Sequence, residues 1–328
     1  MNIRKITFSI ICLMSVFVFN GCDVSEDEYD CVSDIALRFR FMVEGQNMLA
    51  MEVTSLSVFI FDENDRFVGR WDEWDNSKFA SDYFMILPLP PGIYSCVAWG
   101  GISPDYYYVC HTGQTQHQLT APVVGQTMIS QLQVGLKHET RTYAELSRQV
   151  VDNTPTMMFY GSKLNTRLDQ GNNTVIIDLV KNSKNIALTI LGLPGPTRAN
   201  PNTRMEVFFE SPDGEYLFSN NLVGGQGKLA IIPQNITGDV NSQKSDIPTL
   251  KLIFNNGNRL VIWDVENHNA FYADDILENI IRKIPYYSTQ EAVDMEDEFD
   301  ITIDLSSPVG AKITVNGWNV EHSGGEIQ

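Results

Sequence analysis

Short segments with apolar residues at every second position recur along this chain, and this spacing is the feature that most constrains its fold. Successive side chains of a β-strand point to opposite faces, so a period of two predicts a strand with one buried face. The clearest example is residues 35–43, where the alternate residues are Ile35, Leu37, Phe39, Phe41 and Val43. The spacing returns in residues 56–60, 93–99, 132–136, 186–190, 299–305 and 311–315. The sequence therefore predicts an all-β protein.

Turn-forming residues separate these segments. Proline presets φ, whereas glycine and asparagine accept positive φ, so their clusters mark chain reversals. We expect hairpins at residues 62–65, 91–92, 211–214 and 255–258. Two segments depart from the period of two, and each predicts a short helix: residues 139–149, and residues 276–284, with Asp274 as the cap and Pro285 at the end.

The amino-terminal residues have the composition of a secretory signal. Arg4 and Lys5 precede the 14-residue apolar stretch 6–19, which is too short to cross a bilayer comfortably, because a transmembrane helix needs roughly 17–25 residues. Gly21-Cys22 follows and resembles a bacterial lipobox, although Phe19 stands where an aliphatic residue is usual. We expect residues 1–21 to be removed and Cys22 to carry lipid chains such as palmitate; the alternative is an ordinary secretory signal.

Residues 22–32 are polar and acidic, and we interpret them as a tether between lipid and fold. Their acidic run is either a signal for display on the outer surface or a solvated linker. Without residues 1–21 the chain keeps 307 residues, which favours two domains. A polar break at residues 182–184 separates two strands, so we predict domains at 33–183 and 184–328.

The charge balance excludes one class of partner. The signal carries two of the 23 basic residues and no acidic one, which leaves 21 basic and 41 acidic side chains and a net charge of −20. Nucleic-acid phosphates require neutralisation by lysine and arginine, so this chain is not expected to bind nucleic acid. The same charge disfavours electrostatic attachment to anionic lipids, so membrane association would have to be covalent.

Cysteine usage leaves one disulfide open. Cys12 leaves with the signal and Cys22 takes the lipid, which leaves Cys31, Cys96 and Cys110. Three cysteines form at most one intramolecular disulfide. The sequence does not select the pair, and we prefer Cys31 with Cys96.

Sites for catalysis, metal or cofactor are not indicated by the sequence. No C-x-x-C pair, G-x-S-x-G motif or phosphate-binding glycine loop is present. His111 and His117 are six residues apart without neighbouring carboxylates, and the acidic turn that starts at Asp62 has Phe67 where a calcium loop needs glycine. We therefore expect neither an enzyme nor a cofactor-binding protein.

Three consecutive tyrosines are the best candidates for partner contact. Tyr106, Tyr107 and Tyr108 follow a strand in a predicted loop. Exposed tyrosine rings suit contacts with a protein or a glycan. The alternative, which we favour, is that they pack over the edge of a β-sandwich.

Several of these segments, taken in order, resemble the FimB-like fimbrial anchoring lipoproteins of Bacteroidales, the base subunits of type V pili. The resemblance is carried by the Gly21-Cys22 junction with its acidic tether and by segments over nearly the whole remaining chain, namely residues 31–39, 58–68, 87–101, 158–161, 181–193, 299–305 and 315–318. The resemblance implies two tandem transthyretin-like β-sandwich domains with one or two short helices.

The same resemblance implies a function. Such a protein would be a lipid-anchored, surface-exposed lipoprotein of the outer membrane that anchors a fimbrium and limits its assembly through strand-addition contacts with a pilin subunit. We place the contact either at an unfilled sandwich groove or at the C-terminal strand after Lys312. Two alternatives stay open. One is a surface glycan-binding lipoprotein that uses Tyr106 to Tyr108 with Trp71 and Trp74, and the other is a tip adhesin of the same pilus class.

Overall fold

The computed structural model describes residues 35–112, 120–168, 174–195, 204–211, 214–223, 229–307 and 310–320. These ranges form an all-β protein with a few short helices, as predicted. The strands up to residue 181 are β1 (Ile35–Arg40), β2 (Met42–Val43), β3 (Gln46–Asn47), β4 (Leu56–Phe61), β5 (Phe67–Glu73), β6 (Phe84–Leu87), β7 (Gly92–Gly100), β8 (Tyr107–His111), β9 (Leu132–Leu136), β10 (Glu139–Tyr143), β11 (Leu146–Val151), β12 (Phe159–Leu168), β13 (Thr174–Asp178) and β14 (Val180–Lys181).

The later strands are β15 (Ser183–Leu191), β16 (Met205–Ser211), β17 (Glu215–Leu217), β18 (Leu229–Ile231), β19 (Gln234–Asp239), β20 (Ser242–Leu250), β21 (Arg259–Asp264), β22 (Asn269–Asp275), β23 (Glu298–Asp304), β24 (Lys312–Val315) and β25 (Trp318–Val320). The α-helices are α1 (Leu49–Glu52), α2 (Ile276–Asn279) and α3 (Gln290–Met295). Single 3₁₀ turns lie at Asn76–Lys78, Ile129–Gln131, Ile281–Lys283 and Pro285–Tyr287.

The N-terminal sandwich packs a three-stranded sheet on a five-stranded one. The small sheet has the order β13-β1-β6 and the large one the order β14-β12-β7-β4-β5. Leu37 and Phe39 of β1 share a fully buried cluster with Val58, Ile60 and Phe159 of the large sheet. Alternation along β1 therefore produces the predicted buried face.

The large sheet is covered on both faces, which explains why every residue of β4 is buried. Val58 and Ile60 face the small sheet, whereas Phe59 and Phe61 belong to a second hydrophobic cluster on the opposite face. A further sheet of order β17-β9-β8 contributes Leu132 and other residues to that second cluster.

The C-terminal sandwich is formed by two six-stranded sheets, of orders β19-β20-β15-β23-β24-β25 and β10-β11-β18-β16-β21-β22. Leu188 and Ile301 from the first sheet share one buried cluster with Phe209 and Ile262 from the second. Strand pairs also cross residue 183, because β11 pairs with β18 and β9 pairs with β17. The division of the chain at residue 183 stays a prediction.

Of the four predicted hairpins, only the one at 62–65 joins two paired strands, β4 and β5. The turn at 91–92 leads from β6 in the small sheet to β7 in the large one. Likewise, β16 and β17 lie in different sheets, as do β20 and β21. The predicted hairpins at 91–92, 211–214 and 255–258 are therefore wrong; these connections cross between sheets, and Pro212 and Asp213 lie outside the described residues.

One of the two predicted helices forms. Residues 276–284 begin as α2 and continue as a 3₁₀ turn, and the cap is Asp275, whose carboxylate accepts from the Glu278 backbone N–H, rather than Asp274. Residues 139–149 are not helical but form the β10–β11 hairpin, whose turn residues Ala144 and Glu145 both have positive φ. Thr140, Thr142 and Tyr143 in this segment favour a strand over a helix.

Candidate functional site

The first described strand, β1, is the part of the fold closest in sequence to the predicted lipid. Its inward side chains, Ile35, Leu37 and Phe39, are buried in the N-terminal sandwich. On one side β1 pairs in parallel with β13, where Leu37 lies opposite Val175. On the other side it pairs antiparallel with β6, where Leu37 lies opposite Met85. The position of β1 in the sheet is therefore central.

The end of β1 is fixed by polar contacts as well. The Arg40 guanidinium lies 2.7 Å from the Asp178 carboxylate of β13, and the Leu179 backbone N–H donates to the Arg40 carbonyl at 2.7 Å. The Phe41 backbone N–H donates to Asn47 Oδ1 at 3.0 Å. These contacts hold the strand in register at the point where the chain leaves the sheet.

A pull directed along β1 would act in shear against both neighbouring strands. Hydrogen bonds lie perpendicular to the strands in the antiparallel pair with β6 and are slanted in the parallel pair with β13. Such a pull therefore loads the bonds to β6 and to β13 at the same time instead of opening one pair after another. Displacement of β1 along its own axis would thus require both pairings to break.

At the other end of the chain, β24 and β25 complete the sheet on β23. Asn316 and Gly317 join them with φ of 47° and 80°, conformations that asparagine and glycine tolerate best. The Asn316 side chain donates to the Tyr287 hydroxyl at 2.7 Å and accepts from the Asp300 backbone N–H at 2.7 Å. The C-terminal strand after Lys312 is thus paired within its own sheet.

Lysines at the junction of the two halves tie them together. Lys181 Nζ lies 3.7 Å from a Glu52 carboxylate oxygen of α1 and 3.2 Å from Asp297, which precedes β23. Lys184 is fully buried and donates to the Asp294 carbonyl at 2.5 Å. Burial lowers the pKa of Lys184, and the negative charges of Asp297 and Asp294 oppose that effect.

A buried tyrosine bridges the same junction. The Tyr216 hydroxyl donates to the Asn182 carbonyl at 2.7 Å and accepts from the Lys251 backbone N–H at 2.7 Å. Tyr160 of β12 donates to the Phe218 carbonyl at 2.7 Å. These bonds join segments on both sides of residue 183, so the two halves meet at a packed, hydrogen-bonded junction.

Of the residues predicted for lipidation and for the disulfide, the structure describes only Cys96. Cys22 and Cys31 lie outside the described residues. Cys96 and Cys110 carry no disulfide in the part of the chain that the structure describes, and both are fully buried. Burial raises the pKa of each thiol to about 12. Lipidation of Cys22 and pairing of Cys31 with Cys96 stay predictions.

Two of the three tyrosines predicted as candidates for partner contact are buried. Tyr107 and Tyr108 belong to β8 rather than to a loop and are 3% and 5% exposed. The Tyr107 hydroxyl donates to the Thr156 carbonyl at 2.5 Å, and the Tyr108 hydroxyl donates to the buried Glu215 carboxylate. Their rings offer no open face to a partner, which favours the packing interpretation. Tyr106 is half-buried, and its contact with a partner stays a prediction.

Sequence reasoning missed the roles of Lys184 and Tyr216. A lysine and a tyrosine beside alternating apolar residues carry no signal that distinguishes a buried bridge from a surface position. The strand β15, which carries Lys184, pairs with β20, and β17, which carries Tyr216, pairs with β9. These long-range pairings bring the two side chains to the junction.

Within the ranges that the structure describes, no group of three or more His, Cys, Asp or Glu side chains is placed to hold a metal ion. In those same ranges, no helix has the length and apolar character required to cross a membrane.

Comparison with known protein families shows which family the chain belongs to. The family of fimbrillin-A associated anchor proteins Mfa1 and Mfa2 matches residues 27–324. The chain belongs to this family. The family resemblance expected from the sequence is thereby confirmed, and a role associated with fimbriae at the cell surface follows from it. No curated protein matches the sequence.

Solved structures share the fold. The fimbrial anchor protein Mfa2 from Porphyromonas gingivalis has a TM-score of 0.65 and 17% identity, and the match covers 88% of this chain and 99% of that one. A candidate polysaccharide-binding protein from Bacteroides thetaiotaomicron has a TM-score of 0.71 and 19% identity, with 88% and 97% covered. A candidate adhesin from Bacteroides ovatus has a TM-score of 0.67 and 18% identity, with 88% and 94% covered.

Proposed function

We propose that this protein is an outer-membrane lipoprotein, lipidated at Cys22 and exposed on the cell surface, that anchors a fimbrium and limits its assembly by strand-addition contacts with a pilin subunit. The observation that carries the proposal is the central position of β1 in its sheet. Cys22, which would hold the lipid, lies only thirteen positions before Ile35, the first residue of β1. An extended chain of that length spans at most about 45 Å. The N-terminal sandwich would therefore stay close to the membrane.

The same strand supports a role in limiting assembly. Strand addition requires an open position in a sheet, where main-chain hydrogen bonds supply the affinity and alternate side-chain pockets supply the selectivity. In this chain β1 occupies the position between β6 and β13, and its own Ile35, Leu37 and Phe39 fill the inner pockets. A subunit whose sheet is completed by its own chain needs no donor strand there. It is suited to the end of a polymer.

The C-terminal version of the pilin contact makes a separate claim. Residues from Lys312 onward form β24 and β25 at the edge of their sheet, so a pilin would have to pair with β25 or displace it. Deletion of residues 311–328 tests this version. Loss of pilin capture is expected, and normal capture by a folded deletion variant would remove it.

The experiment that tests anchoring is replacement of the lipidated residue. Cys22→Ala is expected to move the protein out of the membrane fraction and to release fimbriae into the medium or alter their length. Tyr29→Ala is the matched control, because it changes a residue of the same tether to which no role is assigned and leaves the lipid in place. Unchanged membrane retention of Cys22→Ala would overturn the lipid assignment.

The glycan-binding alternative depended on exposed aromatic rings. Tyr107 and Tyr108 are buried and Tyr106 and Trp71 are half-buried, so Trp74, at 47%, is the one exposed side chain among the five aromatic residues named for that alternative, all of which the structure describes. The tip-adhesin alternative shares the fold and differs in the location of the protein along the fimbrium.

A further inference from the structure

One sheet edge of this protein lacks the protection that the others have. The strand β6, Phe84-Met85-Ile86-Leu87, is paired with β1 on one side only. Its inward residues, Met85 and Leu87, belong to the sandwich core, whereas its outward residues, Phe84 and Ile86, are 52% and 51% exposed. An exposed, apolar edge strand is a template for pairing with another chain.

The other edges are blocked in ways that proteins commonly use against such pairing. Charged residues lie on β5, β10, β13, β19 and β22. The strand β19 also has a register shift between Gln234 and Thr237. The strands β2, β3, β14, β17 and β25 are at most three residues long, and every side chain of β8 is buried or half-buried. Among the described edges of four or more residues, β6 alone combines exposed apolar side chains with no charge and no bulge.

The outward sheet face beside this edge carries several apolar side chains around Arg38. Across the three strands, Ile176 of β13 and Phe84 of β6 lie on either side of Arg38, and Ile86 lies opposite Ala36. The Arg38 side chain is directed along the sheet, since its Nη2 donates to the Ser81 carbonyl at 3.0 Å. An added strand would find apolar side chains next to the side of β6 that no other strand of its sheet pairs with.

We propose that β6 is a docking edge for an extended segment of another fimbrial subunit, which pairs with Phe84–Leu87 and places apolar side chains beside Phe84 and Ile86. This inference rests on the proposed function, because it takes the partner to be a component of the fimbrium. The proposed contact lies at the outer edge of the small sheet of the N-terminal sandwich, beside the position that β1 already fills.

Charge identifies the kind of occupant. The formal net charge of the chain is −18, so two copies repel each other, and an anionic lipid surface repels the protein as well. The edge itself is uncharged, and the charged side chain nearest to it across the sheet is the cationic Arg38. A neutral peptide segment with apolar residues at alternate positions fits these features better than a second copy or a membrane.

The first test places a charge on the edge. In Ile86→Lys a lysine points outward from β6, and because Ile86 is half exposed the fold has room for it. The matched control is Ile236→Lys, which changes an isoleucine that is 59% exposed on the edge strand β19. The probe is fimbriae sheared from the same cells and washed free of this protein. Binding by Ile86→Lys is expected to weaken at least tenfold, and binding by Ile236→Lys is expected to stay within twofold of wild type.

The second test reads the backbone directly. Amide hydrogen exchange of the wild-type chain is measured with and without the same fimbriae. Strand pairing is expected to slow exchange of residues 84–87 at least tenfold, since it gives their outward N–H groups acceptors. Binding without protection of residues 84–87 would overturn the proposal, even if Ile86→Lys bound poorly, because the segment would then not pair as a strand.

Other outcomes would assign the edge to another occupant. A dimer of the wild type in light scattering that is lost in Ile86→Lys would assign it to a second copy. Flotation with phosphatidylethanolamine vesicles that is lost in Ile86→Lys would assign it to the membrane. If fimbriae bind wild type and Ile86→Lys equally while Cys22→Ala sheds them, the edge proposal fails and the anchor stands. If fimbriae do not bind the wild type and Cys22→Ala sheds none, the proposed function fails as well.

Discussion

Truncation of the central side chain of β1 tests whether this strand holds the N-terminal sandwich together. Leu37 is fully buried and lies opposite Val175 on one side and Met85 on the other. Leu37→Ala removes three carbon atoms, which at about 0.8 kcal/mol for each CH₂ amounts to roughly 2.4 kcal/mol of transfer free energy. The remaining cavity adds to this, so we expect a loss of about 3–4 kcal/mol in the free energy of unfolding.

The matched control is Arg40→Ala on the same strand. Its ion pair with Asp178 is more than one-third exposed on both sides, and such pairs contribute about 0–1 kcal/mol. Urea denaturation followed by tryptophan fluorescence gives both values. With a slope of about 2 kcal/mol/M, Leu37→Ala is expected to lower the midpoint of the N-terminal transition by about 1.5–2 M and Arg40→Ala by less than 0.5 M.

The functional consequence is measured on cells. If β1 carries the load between the lipid and the fold, Leu37→Ala cells are expected to lose more fimbriae under shear than Arg40→Ala cells, although both variants keep Cys22. The reasoning is refuted if Leu37→Ala costs less than 1 kcal/mol, because the strand would then not be a tightly packed centre of the sheet. It is also refuted if the destabilised variant retains fimbriae as wild type does.

Three further predictions concern buried polar groups. Tyr216→Phe removes the hydroxyl bonded to Asn182 and to the Lys251 backbone, so thermal unfolding should report a loss of about 1–3 kcal/mol, and a loss below 0.5 kcal/mol would contradict the bridge. Because burial lowers the pKa of Lys184 below 10.5, the unfolded chain binds more protons between that lowered pKa and 10.5. The free energy of unfolding of wild type should therefore rise with pH through this window relative to Lys184→Met, and parallel pH profiles would argue against a buried, partly neutralised amine. Because burial raises the pKa of the Cys96 and Cys110 thiols to about 12, iodoacetamide at pH 8 should label neither in the native protein. In unreduced urea-unfolded chain, labelling of Cys110 without Cys96 would support a disulfide to Cys96, and labelling of both would exclude one.

The spacing of apolar residues locates strands in the sequence but does not specify which strands pair. Alternating apolar residues located β1, β4, β9, β15 and β23, because burial of one face depends on local spacing. Pairing of β1 with β13 joins residues more than 130 positions apart, and nothing in either segment specifies it. The central position of β1, on which the proposed function depends, was therefore not predictable from the sequence.

Turn chemistry located reversals without specifying the sheet of the next strand. Proline and glycine at 91–92 and the asparagines at 255–258 allow the backbone to reverse in a hairpin and equally in a crossing between the layers of a sandwich. Which one forms depends on where the following apolar face is buried. The 139–149 segment shows the same limit, because a two-residue turn at Ala144 and Glu145 carries no proline or glycine to mark it.

Tyr106, Tyr107 and Tyr108 show how tertiary structure decides the fate of candidate site residues. A run of three tyrosines is equally compatible with an exposed platform and with an edge strand. The hydroxyl acceptors of the last two, Thr156 and Glu215, are far away in sequence. Their burial follows from contacts that only the fold provides.

The central claim is that this protein lies at the cell-proximal end of a fimbrium and holds it to the outer membrane. Immunogold labelling of intact fimbriated cells with an antibody against the C-terminal sandwich tests this most directly. The account predicts one cluster of label at the base of each fimbrium, where it meets the cell surface. Label at the distal tip, or along the cell surface without relation to fimbriae, would contradict it.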